Sequence, residues 1–349
     1  AFTGDASGRL AHLEVLYAGG GNRGNCCAQN VAGLGAVTIE TSIAPEIENV
    51  DVRWSQSDGL YANVGGGFPW SVLGGSFSDN GGQGLRLSGG RGPLTLRDIN
   101  VQSNGGTGLS ALTEGTQTVA GLNVENNGAD GLHLGAGGML TLTGTTIQDH
   151  PQNTNLIISA AAPGSTLRDN IIEADDSFIP ERQEIGASVV PDVVQELVDN
   201  NVLRFFARGV FIRDGELNLD AVWPDAGITY VVHRTGDVTI SEDAQLTLAP
   251  GVILKFGVGH GHEKDGQLIV RGGLNAIVGE GAPIIMTSFK DDVGGDTNAD
   301  GVASAPSPGD WASLSFTGEG TGNLDGLILR YGGGGNRGLG QCPLHQFYG

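Results

Sequence analysis

The chain has 349 residues, of which 61 are Gly and 16% are charged, and its formal net charge is −21. So acidic a surface repels phosphate backbones and excludes nucleic acid as a partner, and no apolar run approaches the roughly 18 residues of a membrane helix, which excludes insertion by one. Glycine at this level without a three-residue period excludes collagen and points to repeated turns.

The sequence starts at Ala1 rather than Met. That fits a processed secreted protein or an excised fragment, so an extracellular or cell-surface location is expected.

In chain order, the first feature is a short repeat. SDGLYA (57–62), QGLRL (83–87), TGLSA (107–111) and DGLHL (130–134) share one register, with Gly59, Gly84, Gly108 and Gly131 spaced 25, 24 and 23 apart. Seven residues before each glycine stands Val52, Phe77, Val101 or Val124; one after it stands a Leu. Alternation in Ile99–Val101 and Leu122–Val124 means strands, and Leu94–Leu96 and Leu140–Leu142 supply a third strand per unit. Short strands separated by Gly and Asn turns, without two-residue hairpins, predict a coil whose strands pair in parallel with their equivalents one turn on. Four residues before three of the glycines lie Asn80, Asn104 and Asn127. Stacked, their amides form a hydrogen-bonded ladder; three independent turn residues are the plainer alternative.

Trp54, Tyr61, Phe68 and Trp70 cluster around a Gly-rich stretch. Exposed, Trp54, Tyr61 and Trp70 would stack on sugar rings; folded under a loop, they would be core. Residues 1–173 thus read as rungs and 174–222 as a loop-rich segment. Within it 174–192 is a loop, and 191–200 (PDVVQELVDN) is a short helix or a strand. Rungs resume over 223–349, with strands at 228–232, 237–240, 245–248, 252–256, 267–270, 283–287, 311–316 and 324–330.

Three sets of residues in this chain invite chemistry. His260, His262 and Glu263 offer a second metal site of transition-metal type, against the reading of a Gly-rich exposed loop. In the acidic loop 290–310, Asp296-Thr-Asn298-Ala-Asp300-Gly301 matches the first half of a calcium loop, where alternate oxygens converge and Gly permits the turn. Asp291, Asp292 and Asp310 would add carboxylates, since Ser307 at the twelfth position has none; a structural calcium ion is expected. The three cysteines, Cys26, Cys27 and Cys342, lack zinc spacing. Adjacent cysteines strain a mutual bridge, so a disulfide from Cys342 to Cys26 or Cys27, within or between subunits, is expected.

The NGGQGL, NGGTGL and NNGADGL units resemble the repeats of the pectate-lyase-like superfamily. Residues 221–256, with Trp223-Pro224, Tyr230-Val231-Val232 and Pro250-Gly251-Val252, and residues 283–311 are similar to segments of large bacterial surface proteins. The resemblance implies an all-β fold, a right-handed parallel β-helix with three-strand rungs. It leaves activity open. Lyases of this fold use carboxylate-bound calcium with an Arg or Lys base, and related hydrolases use Asp pairs. The hydrolases' asparagine-threonine-aspartate and arginine-x-lysine signatures are absent, and Asp175-Asp176, near Arg168-Asp169, reads as an acidic turn. A structural fibre or adhesin stalk is therefore expected ahead of an enzyme, with a carbohydrate-binding or polysaccharide-cleaving protein as the alternative.

The end of the chain repeats its start. Residues 2–24 align without gaps to residues 316–338 at an offset of 314, with 13 of 23 positions identical. Copies of the chain, or tandem units, are therefore expected to meet end to end.

Overall fold

Parallel strands account for nearly all the regular structure. A computed structural model describes residues 2–18, 35–151, 153–174, 184–204, 206–233, 236–257 and 266–334, which divide into two compact units, 1–211 and 212–349. Among the described residues no helix is long and apolar enough to cross a membrane.

In the first unit, Val37–Thr41, Leu60–Val64, Leu85–Gly89, Leu109–Thr113, Leu132–Ala136 and Thr154–Ala160 pair successively in parallel to make one face. Leu60, Leu85, Leu109, Leu132 and Leu156 form one core column, each fully buried, and burying each contributes roughly 1.5–3 kcal/mol. The other two faces begin as single long strands, Arg9–Leu16, Glu46–Arg53 and Trp70–Ser78. Further along each splits into a pair, such as Leu94–Arg97 with Asn100–Gln102.

Two corners explain the residue types between strands. The strand register aligns His12, Asn49, Gly74, Asp98, Gly121, Gly144 and Asp169 at one corner, all with φ between 50° and 67°. It aligns Tyr17, Trp54, Asp79, Ser103, Asn126 and Asp149 at the next, with φ between 51° and 60°. Gly, Asn and Asp are the residues that enter this left-handed region most easily.

The repeated glycines have a different cause. A Cβ on Gly108 would lie 2.6 Å from Asn127 Nδ2 and 2.8 Å from Gly131 O, and Gly59 and Gly84 face the same obstruction from Asn80 and Asn104. The asparagines behind them form the ladder. Asn80 N and Nδ2 donate to Asn104 Oδ1 (3.1 and 2.9 Å), and Asn104 N and Nδ2 donate to Asn127 Oδ1 (3.1 and 2.9 Å).

The segment expected as a loop over 174–192 contains a strand. Ile185–Val189 pairs in parallel with Thr154–Ala160 and places Ala187 and Val189 in register with Leu156 and Ile158. Its small residues hid an ordinary core rung. The alternative left open over 191–200 resolves to a 3-10 turn, Pro191–Val193, and a helix, Val194–Asp199, with Val193, Val194 and Leu197 buried.

The second unit holds rungs of three strands. One face comprises Gly215–Leu217, Asp237–Ile240, Gln267–Val270 and Leu314–Phe316; the next, Ala221–Trp223, Gln245–Leu248, Gly273–Ile277 and Thr321–Asp325. The third has Tyr230–Val232, Ile253–Phe256, Ile284–Ser288 and Leu327–Leu329. Strands 215–217, 221–223 and 273–277 are additions to the expected set; two are only three residues long, too short for a period to show.

Candidate functional site

The acidic loop leaves the strand Ile284–Ser288 and returns at Trp311. Lys255, on Ile253–Phe256, is fully buried beneath it. Its Nζ donates to Gly295 O (2.6 Å) and Thr297 Oγ1 (3.1 Å). Burial pushes the ammonium pKa down to about 8, against the pull of Asp291, Asp292 and Asp296. Thr229 Oγ1 donates to Gly294 O at 2.8 Å from the same side. The loop is therefore tethered to the core by a buried cation.

Asp310 closes the loop. Burial alone would raise its pKa, but hydrogen bonds from Ser288 and Ser307 N, and the Lys290 ammonium, hold it below the usual range. Asp310 Oδ2 accepts from Ser288 Oγ (2.7 Å) and Ser307 N (2.9 Å), and Oδ1 pairs with Lys290 Nζ at 2.9 Å. Asp291 is similarly engaged with Thr287 Oγ1 (2.6 Å) and Val293 N (3.2 Å), while Asp292 is exposed. These three carboxylates are not gathered around Asp296, Asn298 and Asp300.

The motif itself is more open. Asp296 Oδ1 and Oδ2 accept from Asp300 N (3.2 Å) and Gly301 N (2.7 Å), drawing the turn around the carboxylate. Asn298 Nδ2 donates to Ser304 Oγ at 2.9 Å. Asn298 Oδ1 and Asp300 Oδ1 are buried atoms without a hydrogen-bond partner. Among the described residues no three His, Cys, Asp or Glu side chains converge as a metal-binding group. The two orphaned oxygens nevertheless suit a hard cation with oxygen ligands.

The loop also braces the rung that follows it. Gly309 N and Asp310 N both donate to Tyr331 O at 3.0 Å. Trp311 Nε1 donates to Arg330 O at 2.6 Å, and its ring stacks on Phe256 with centroids 4.3 Å apart.

With this geometry in place, a family model described as a right-handed beta helix region matches residues 35–240, more than half of the chain. The chain belongs to the right-handed β-helix family. No curated protein and no solved structure matches it.

Aromatic candidates on this β-helix part company. Trp70 is 4% exposed and belongs to the core, so it offers no ring face to a sugar. The Arg86 guanidinium lies 5.4 Å over the Tyr61 ring and covers that face. Trp54 is half exposed at its corner and stacks on Tyr17, centroids 4.7 Å apart; Tyr17 lies outside the 54–70 cluster in sequence, and the strand register brings it there. His260, His262, Glu263, Cys26, Cys27, Cys342 and the Asp175-Asp176 pair lie outside the described residues.

The two repeated segments, residues 2–17 and 316–331, match in backbone conformation. At the 314-residue offset, Gly4 and Gly318 have φ of 68° and 63°, His12 and Gly326 have 52° and 74°, and Tyr17 and Tyr331 have 53° and 60°. The repeated sequence thus takes the same turns at the same positions.

Proposed function

We propose that this chain is a structural β-solenoid of the cell surface or extracellular space, a unit that continues head to tail as a fibre or adhesin stalk. The match between residues 2–17 and 316–331, in sequence and in three left-handed turns, carries the reading. Recurrence of one rung at a distance of 314 residues supports propagation through heterologous contacts, in which each unit carries the surface that begins the next.

Sedimentation velocity of the full chain tests this. Sedimentation should shift upward with concentration in the native chain and stop shifting when Leu324→Asp places a carboxylate in the end face. A concentration-independent monomer contradicts the reading.

Calcium has a supporting part in this proposal. A calcium ion at Asn298 Oδ1 and Asp300 Oδ1 stiffens the loop that holds Tyr331, and so the rung that meets its neighbour. At calcium a hundredfold above its dissociation constant, stability of the second unit should rise by about 2.7 kcal/mol. Thermal unfolding with calcium and with chelator should show this increment in the native chain and lose it in Asp300→Ala. Equal melting with and without calcium removes the ion from the account.

A further inference from the structure

The asparagine ladder carries a chemistry that its hydrogen bonds hold in check. The sequence contains three Asn-Gly pairs, 80–81, 104–105 and 127–128, and all three belong to the ladder. In an Asn-Gly pair no side chain hinders the glycine nitrogen from reaching the Asn Cγ, and the backbone bends freely. The stacking of rungs requires these glycines all the same. A Cβ on Gly81, Gly105 or Gly128 would lie 2.5, 2.5 or 2.6 Å from the carbonyl oxygen of Gln56, Gly81 or Gly105 in the preceding rung. The fold therefore fixes the most labile dipeptide at every one of these positions.

In the folded chain both reacting groups are pinned. Gly81 N, Gly105 N and Gly128 N donate to Ser55 O, Asn80 O and Asn104 O, each at 2.7 Å. The side-chain amides are held from the other side: Asn80 Nδ2 donates to Val52 O (3.3 Å), Asn104 Nδ2 to Phe77 O (2.9 Å) and Asn127 Nδ2 to Val101 O (3.3 Å). All three asparagines are at most 2% exposed, which keeps hydroxide and water from them.

We propose that the ladder is a latched modification site: Asn80, Asn104 and Asn127 deamidate when their rungs open, and the modified chain cannot close them again. On opening, hydroxide removes the glycine N–H proton and the nitrogen attacks Asn Cγ. The Cγ–Nδ2 bond breaks, and the leaving nitrogen takes a proton from water and departs as ammonia. Water then opens the five-membered imide at either carbonyl, leaving Asp or an isoaspartyl link. At position 104 the product sets a carboxylate oxygen where Nδ2 now meets three acceptors, Phe77 O, Gln102 O and Asn127 Oδ1. A buried charge facing acceptors alone is strongly unfavourable. The isoaspartyl link also lengthens the backbone by one carbon and shifts the rung out of register. Opening of the first unit is thereby made irreversible by its own sequence.

Mass spectrometry of peptides covering the three pairs tests the latch. Full-length protein is incubated at pH 8.5, native and in urea. Deamidation at each pair should be at least about tenfold slower in the native chain, because reaction requires the rung to open; a smaller ratio overturns the latch. The second half of the proposal is tested by refolding. Chains held in urea for equal times at pH 8.5 and at pH 5, where the glycine nitrogen stays protonated, are returned to pH 7 without urea. Recovery of hydrogen-exchange protection over 85–134 should be lower after pH 8.5, and the protected chains should retain Asn at all three pairs. Equal recovery from both incubations, or Asp and isoaspartyl residues in protected chains, overturns it.

Discussion

Asn104→Ala should destabilise the first unit by about 4 kcal/mol, the largest effect of any single ladder residue. Asn104 Oδ1 accepts from Asn80 N and Nδ2, and Asn104 Nδ2 donates to Phe77 O (2.9 Å), Gln102 O (3.1 Å) and Asn127 Oδ1. The residue is 2% exposed, so no solvent replaces these partners. Each buried group left unpaired costs roughly 1–3 kcal/mol, and truncation strands at least two. Asn123 serves as the control. Its amide donates to Asn100 Oδ1 at 3.0 Å on a half-buried site, and Asn123→Ala should cost less than about 1 kcal/mol. Urea unfolding read by hydrogen exchange of peptides spanning 85–134 measures both. Equal losses would mean that the buried ladder is incidental to stability.

Acid should weaken the same unit through His150. This side chain is fully buried and ends the ladder: Asn127 Nδ2 lies 3.1 Å from Nε2, and Asn155 Oδ1 lies 2.7 Å from Nδ1. An amide donor on Nε2 and an amide oxygen on Nδ1 fit a neutral ring with its proton on Nδ1. Burial lowers its pKa from 6.5 to about 4, against the raising effects of the Asn155 hydrogen bond and the Glu125 charge. The folded-state value is depressed, so the unfolded chain binds the extra proton first. Stability is fully present above pH 6.5, falls as pH drops from there to about 4, and levels off below. The loss across that window is about 3 kcal/mol. His150→Asn keeps an amide in the ladder and removes the titration. Unfolding free energies at pH 7 and pH 4.5 should therefore differ more in the native chain than in the variant. The same pH dependence in both would assign the acid response to other groups.

Much of the fold was legible because each rung samples the same environments. Leu85, Leu109 and Leu132 recur since each fills one column, and Asn80, Asn104 and Asn127 recur since each amide needs the next. The same logic was harder to read where the residue type changes. His150 follows Asn127 by 23 residues, the rung spacing, but an imidazole closing an amide ladder breaks the pattern of letters. A second ladder, in which Asn170 N and Nδ2 donate to Asn201 Oδ1 (3.1 and 2.7 Å), went unseen because the helix Val194–Asp199 stretches that spacing to 31 residues. Asn201 Nδ2 also caps that helix through Glu196 O (2.9 Å) and Leu197 O (3.0 Å).

Legibility of the candidate site was uneven for related reasons. The D-x-N-x-D-G spacing located the loop, since alternate oxygens are a local property. Lys255 was missed because its partners Gly295 and Thr297 lie 40 and 42 residues away. A lone Lys between Leu254 and Phe256 reads as a solvent-facing strand residue until the loop above it is placed. Trp70 and Trp54 could not be separated by type; the core register buries the first, and the left-handed corner turns the second outward.

Electron microscopy of the concentrated full-length protein tests the central claim most directly. The account predicts open-ended trains of units in which one contact, between residues 316–331 of one copy and residues 2–17 of the next, recurs at a constant interval and disappears in Leu324→Asp. Single particles of one chain at every concentration, identical in the native protein and the variant, would contradict it.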